Sequence, residues 1–169
     1  MKILETTRLT VRELTEDDAP FILTLLNDPA FLRFIGDRNV RTLDDARAYL
    51  QNGPIASYQR HGFGLYLVER KSDQTPLGMC GLIKRDTLPD VDIGYAFLPA
   101  FGGQGYAYEA AAAVLAYGKA TVGLQRVVAI VTPDNERSLH LLGKLGLRFA
   151  RMFTWPDDGS ALELHAIDL

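Results

Sequence analysis

Residues Asp92–Ala113, DIGYAFLPAFGGQGYAYEAAAA, decide how the rest of the chain is read. The stretch opens as a short apolar run with Ile93, Tyr95, Phe97 and Leu98, and it breaks at Pro99. It then crosses Gly102, Gly103 and Gly105 and enters an alanine-rich segment of high helix propensity. A strand, a glycine turn and a helix in succession leave backbone N–H groups unpaired at the helix N-terminus. With the positive end of the helix dipole behind them, those groups suit a phosphate. Glycine matters here because a side chain would hold the anion away from the backbone, and because glycine tolerates positive φ. The first expectation is therefore a phosphate-bearing ligand. The competing reading is a plain glycine-rich turn that caps a core helix. A phosphate loop of the G-x-x-x-x-G-K-[ST] kind fails, because no Lys followed by Ser or Thr sits in the turn. A dinucleotide fingerprint starting at Gly103 has Tyr108 at its third glycine position and lies past the chain's midpoint.

Working outward, 169 residues are enough for one domain with a real core, here residues 1–169. No apolar run approaches the roughly 20 residues of a membrane span. The opening MKILETTRLTVREL spreads charge throughout and does not read as a signal peptide. A single cysteine, Cys80, excludes a disulfide framework, and the expected address is the cytoplasm. Cys80 lies in the apolar run PLGMCGLI and reads as a buried small hydrophobe rather than a nucleophile. A net charge of −3 argues against a general nucleic-acid binder and is mildly compatible with cationic substrates such as amines. No metal, nucleic-acid or membrane partner is expected.

Strands are expected over 8–14, 63–69, 76–84, 91–98, 125–131, 147–154 and 161–167. The second to fourth of these read as an antiparallel meander. Helices are expected from Thr15 to about Asn27, from Thr42 to a stop at Gly53, from Ala107 to about Thr121, and from an Asn135 cap to Gly146. Residues 28–41 read as a loop whose Phe31 and Phe34 either tuck onto the core or line a substrate pocket. The order implies a mixed α/β (α+β) sheet with helices on both faces.

Several motifs now stand in order: LETTRLTVREL, the NDP after the first helix, DIGYAFLP, GGQGYAYEA and TPDNERSLHLLGKLGLRF. Together they resemble the GNAT family of N-acetyltransferases over nearly the whole chain. The chain is most similar to the Rim-type branch, which includes ribosomal-protein N-terminal acetyltransferases. The resemblance implies acetyl-CoA as donor and a seven-stranded sheet splayed at its middle, flanked by about four helices. It also implies a cytoplasmic enzyme acting on a small-molecule or protein amine, and a possible homodimer. A pantetheine arm would lie in the splay as a substitute strand beside Phe97 and Leu98. The diphosphate would meet the turn at Gly102, Gly103, Gln104, Gly105, Tyr106 and Ala107. Gly105 and Ala107 match the family's pyrophosphate motif, whereas its first position, Gln or Arg in the family, is Gly102 here. Asn135 matches the asparagine that bonds the arm, a role compatible with an ordinary N-cap. Ser138 falls where related enzymes have a hydroxyl near the sulfur. The general-acid Tyr of many members is replaced by Leu142. Lys144 either approaches the nucleotide phosphates or is a solvated lysine at a helix end.

Acetyl transfer needs a neutral amine, an oxyanion donor and an exit for the thiolate. Freeing a lysine-like amine of pKa ~10.4 at neutral pH costs about 4–5 kcal/mol, whereas an α-amine near pKa ~7.8 costs about 1. Asp92 is the best base candidate, because related enzymes often have Glu just before this Ile-Gly-Tyr; a local hydrogen bond is the ordinary alternative. Glu109 sits in a helix's first turn, where a carboxylate is favourable anyway. His140 and His165 are titratable but read more simply as packed or solvated rings. The acceptor expectation is an α-amine, with Phe31, Phe34 and Trp155 lining its pocket. A small-amine acetyltransferase (polyamine or aminoglycoside) and a CoA-binding module without catalysis stay open, the latter suggested by Leu142.

Overall fold

The computed structural model describes residues 1–169. Its centre is one eight-stranded sheet in the order β1-β2-β3-β4-β5-β6-β8-β7. The strands are β1 (Lys2–Glu5), β2 (Leu9–Glu13), β3 (Leu65–Arg70), β4 (Pro76–Ile83), β5 (Asp92–Phe97), β6 (Arg126–Val131), β7 (Arg148–Thr154) and β8 (Ala161–Asp168). The expected count of seven is therefore corrected to eight. The extra strand, β1, is a four-residue edge whose alternation is too short to read by period alone. The meander β3-β4-β5 forms as expected, with every pair antiparallel, and β5 to β6 is the sheet's one parallel junction.

The helices are α1 (Ala19–Leu26), α2 (Pro29–Phe34), α3 (Leu43–Leu50), α4 (Ala56–His61), α5 (Tyr106–Tyr117) and α6 (Glu136–Leu145). Two corrections follow. The 28–41 segment is not all loop: Asp28 accepts a bond from the Ala30 N–H and starts α2 behind Pro29. The second helix does not stop at Gly53. The chain stays helical through a wide turn at Gln51–Ile55 and closes only at Gly62, whose φ is 81°.

Alternation along the strands sorts the core into two layers. Tyr66, Val68, Cys80 and Ile93 face α5, whose Ala110 and Ala111 let the helix lie close on the sheet. Leu67 and Met79 face the opposite way, against α1, α2 and α3. Cys80 is wholly buried, and burial pushes its thiol up to about 12, as suits a packing residue. No helix is long and apolar enough to cross a membrane.

Candidate active site

Strands β5 and β6 share a single rung, Asp92 opposite Val128, where the Val128 N–H donates to the Val91 carbonyl at 3.0 Å. Beyond that rung no backbone pair joins them. The facing edges of 93–97 and 129–131 are left without sheet partners, and a cavity of about 680 Å³ opens between them. The cavity is lined by β5, the end of β6, the start of α5, one side of α6 and the aromatic face of α2.

At the foot of α5, the backbone N–H groups from Gly103 through Tyr108 donate to no acceptor in the protein; the first helical bond is Glu109 N–H to Gly105 O at 3.0 Å. Gly103 and Gly105 have φ of 76° and 81°, the left-handed region that glycine adopts without strain. A Cβ on Gly103 would meet nothing within 4 Å, so the space beside this turn is open. Gly102, Gly103, Gly105, Tyr106 and Ala107 all line the cavity. Gln104 does not, and its carbonyl accepts from Arg8 Nη1 at 2.9 Å.

Glu109 holds this turn in place. It accepts from Thr6 Oγ1 at 2.5 Å, from the Arg8 N–H at 3.0 Å and from Arg8 Nε at 2.7 Å. The Arg8 guanidinium also lies 4.4 Å over the Tyr106 ring. Burial by itself would raise the Glu109 carboxyl, but the bonds from Thr6 and Arg8 overcome it and hold the group below its usual range. A depressed carboxyl stabilises the fold above its unfolded pKa, and that stability is lost as pH falls through the lower folded value. Glu109→Gln is thus expected to cost about 1.5–3 kcal/mol in urea unfolding at pH 7. The gap between the two proteins narrows below about pH 4. A gap of constant size would show that the charge is irrelevant.

At the middle of the cavity, the Tyr95 hydroxyl lies 2.6 Å from Ser138 Oγ. Burial pushes the Tyr95 phenol up to about 12, so it keeps its proton at neutral pH. Both hydroxyls are therefore protonated, and either one can donate in this pair. Asn135 Oδ1 accepts from the Ser138 N–H at 3.2 Å, capping α6, while its amide nitrogen bonds nothing in the protein. Leu142 is buried in the core. Thr132 also lines the cavity, and its buried hydroxyl lacks any partner. Such an orphan is costly unless something in the cavity satisfies it.

Asp92 is 1% exposed and is held by Arg85, whose Nε lies 3.1 and 3.3 Å from its two oxygens. Burial raises this carboxyl, and Arg85 opposes the shift. The Arg85 guanidinium in turn lies 5.4 Å over Trp155, another cavity residue. Phe31 and Phe34 line the same space, and Phe31, 6% exposed, also tucks onto the core, so the two readings offered for it coexist. Phe97, Leu98, His140 and Lys144 line it too, Lys144 packing 4.8 Å over Tyr108. His165 does not: it is buried on β8 with its Nε2 3.0 Å from Glu163. Sequence reading missed Tyr95, Arg85 and Thr132 as polar participants. The only available signal was that Tyr95 shares a face with Ile93 and Phe97; that α6 crosses that face is a tertiary fact.

The acetyltransferase (GNAT) domain model matches residues 8–148. The chain belongs to the GNAT acetyltransferase family. It is similar to YoaA of Bacillus subtilis, described as an uncharacterized N-acetyltransferase, at 30% identity over 86% of this chain and 82% of YoaA. Among solved structures, a GNAT-family acetyltransferase from Bacillus anthracis superposes with a TM-score of 0.81 at 25% identity, over 99% of this chain and 98% of that one. RimL, a ribosomal L7/L12 alpha-N-protein acetyltransferase in complex with coenzyme A, shares the fold with a TM-score of 0.85 at 19% identity. It covers 100% of this chain and 98% of its own. The protein is therefore an N-acetyltransferase, and members of its fold take their acetyl group from acetyl-CoA.

The cavity fits that co-substrate in two ways. It offers a row of free N–H groups for a diphosphate, and two unpaired strand edges for an amide-bearing arm.

Proposed function

We propose that this single-domain acetyltransferase moves the acetyl group of acetyl-CoA to the α-amine at the N-terminus of a peptide or protein, as the Rim-type resemblance implies. The observation that carries the reading is the parting of β5 and β6 above a row of unpaired amides, with the Tyr95–Ser138 pair facing the gap. Acetyl-CoA supplies an activated thioester. Gly102, Gly103, Gln104, Gly105, Tyr106 and Ala107 bind the diphosphate through the backbone, and Lys144 adds charge near the nucleotide. Phe97, Leu98 and the free amide nitrogen of Asn135 hold the arm.

In the transfer, the amine nitrogen forms a bond to the acetyl carbon and the carbon–sulfur bond breaks. Ser138 hydrogen-bonds the departing sulfur, its hydroxyl aimed by Tyr95. A thiol of ordinary pKa about 8.5 needs little more help than that to leave. Asp92 takes the amine's proton, and Phe31, Phe34 and Trp155 enclose the acceptor. The carboxylate is already engaged by Arg85 and has no second base beside it. An acceptor whose deprotonation costs about 1 kcal/mol suits it better than one costing about 4–5.

CoA release from acetyl-CoA with a panel of N-terminal peptides, lysine-blocked peptides, polyamines and aminoglycosides tests this. Turnover on peptide α-amines alone supports the reading. Turnover confined to small amines replaces it, and tight acetyl-CoA binding without turnover leaves a binding module. If Asp92 is the base, Asp92→Asn lowers activity most below about pH 8, where the acceptor amine is largely protonated. An activity ratio that stays flat from pH 6 to 9 removes Asp92 from that role.

A further inference from the structure

At the acceptor end of the cavity, we propose that Arg38 and Arg85 form an anion-binding subsite, so that the preferred acceptor is an amine bearing a carboxylate. The inference deepens the acetyl-transfer reading and rests on it. Both arginines line the cavity, with Tyr49 and Trp155. Arg85 spends only its Nε on Asp92; its two terminal nitrogens make no hydrogen bond. Arg38 has no ionic partner, because the adjacent carboxylate, Asp37, is taken by Arg41 at 2.5 Å.

The turn that presents Arg38 is held rather than loose. Gly36 has φ of 116° and Asn39 of 58°, and the Asn39 N–H donates to Asp37 Oδ1 at 2.8 Å. Burial pushes the half-buried Tyr49 phenol up, and the charges of Arg38 and Arg85 oppose the shift. Arg38, Arg85 and Tyr49 share the wall of one cavity.

The other carboxylates on the lining are already engaged. Asp28 accepts from the Ala30 N–H at the start of α2, and Asp158 accepts from the Ser160 N–H. Arg33, a third cation, pairs with Asp134 at 3.6 Å. Asp28 and Asp158 keep their charge but turn it to these amides, so the side-chain donors left unused on this wall are those of Arg38 and Arg85, in a protein whose net charge is −3. Guanidinium groups with unused donors match the planar, two-oxygen geometry of a carboxylate. A polyamine would meet like charge at the same place. The carboxylate can come from an acidic side chain early in a peptide or from a free amino acid.

The test is calorimetric binding to protein saturated with CoA, which reads recognition without turnover. The probes are Ser-Glu-Glu-Phe-amide against Ser-Gln-Gln-Phe-amide, and L-serine against L-serinamide. The acidic member of at least one pair is expected to bind roughly tenfold more tightly at low salt, with the preference shrinking as salt is added. The peptide pair assigns the carboxylate to a side chain, and the serine pair assigns it to a free amino acid. Arg38→Gln should cut the preference to within about twofold, and Arg38→Lys should keep part of it. Arg38 is the decisive position, because removing Arg85 would also strip the buried Asp92 of its partner. Equal binding within both pairs, no binding at all, or a preference that survives Arg38→Gln overturns the inference. An acidic preference without CoA release from any amine would instead overturn acetyl transfer and leave the subsite standing.

Discussion

A Gly105→Trp protein is expected to fold and yet bind acetyl-CoA at least about a hundredfold more weakly than the native chain, a loss of roughly 2.7 kcal/mol. Gly105 is the N-cap of α5, and its φ of 81° imposes about 1–2 kcal/mol of strain on any residue with a Cβ. In a chain of this size that strain lowers the melting temperature by about 2–8 °C, which an otherwise intact core survives. On the inner side a Cβ comes into ordinary contact with Arg8 Nη2 at 3.4 Å. Turned outward, the indole would cover the row of N–H groups proposed to meet the diphosphate, and several charge-assisted hydrogen bonds would be lost together. Titration calorimetry and a thermal melt on the same sample decide it. Native affinity despite the lowered melting temperature would show that the coenzyme's phosphates lie elsewhere.

Ser138→Ala is expected to lower kcat by about a hundredfold with the Kd for acetyl-CoA within about twofold of native, the size of effect typical when a positioned proton donor is removed. Tyr95→Phe should cost less, about tenfold, because the serine hydroxyl remains but is no longer aimed. The informative protein is the double variant. If the 2.6 Å contact means that Tyr95 works only through Ser138, adding Tyr95→Phe to Ser138→Ala costs nothing further. Losses that multiply to a thousandfold would mean that the phenol acts on the thioester by itself. A fall in acetyl-CoA affinity in step with kcat would reassign both groups to binding.

Much of this arrangement is written in local chemistry. The alanines of α5 and the glycines before it read directly as a helix with an open N-terminus, and Asn135 and Gly146 bracket α6 as caps should. The failures have a common physical form. Lys2–Glu5 is a strand only because β2 offers it an edge, and four residues carry too little pattern to announce that. Gly53 looked like a stop, yet the chain stays helical through Pro54, which is buried, so packing overrode a helix breaker. In the site, the positions legible in advance were those set by main-chain geometry or by family motif. Tyr95 meeting Ser138, and Asp92 meeting Arg85, are meetings between separate elements. Nothing along the chain encodes a distance between side chains 43 residues apart.

The lone rung between β5 and β6 has a mechanical consequence. The sheet is in effect two plates, β1–β5 and β6–β8, riveted at one point and otherwise kept in register by the helices laid across them. A coenzyme bound along the seam, as proposed above, would bond to both plates and so stiffen the joint.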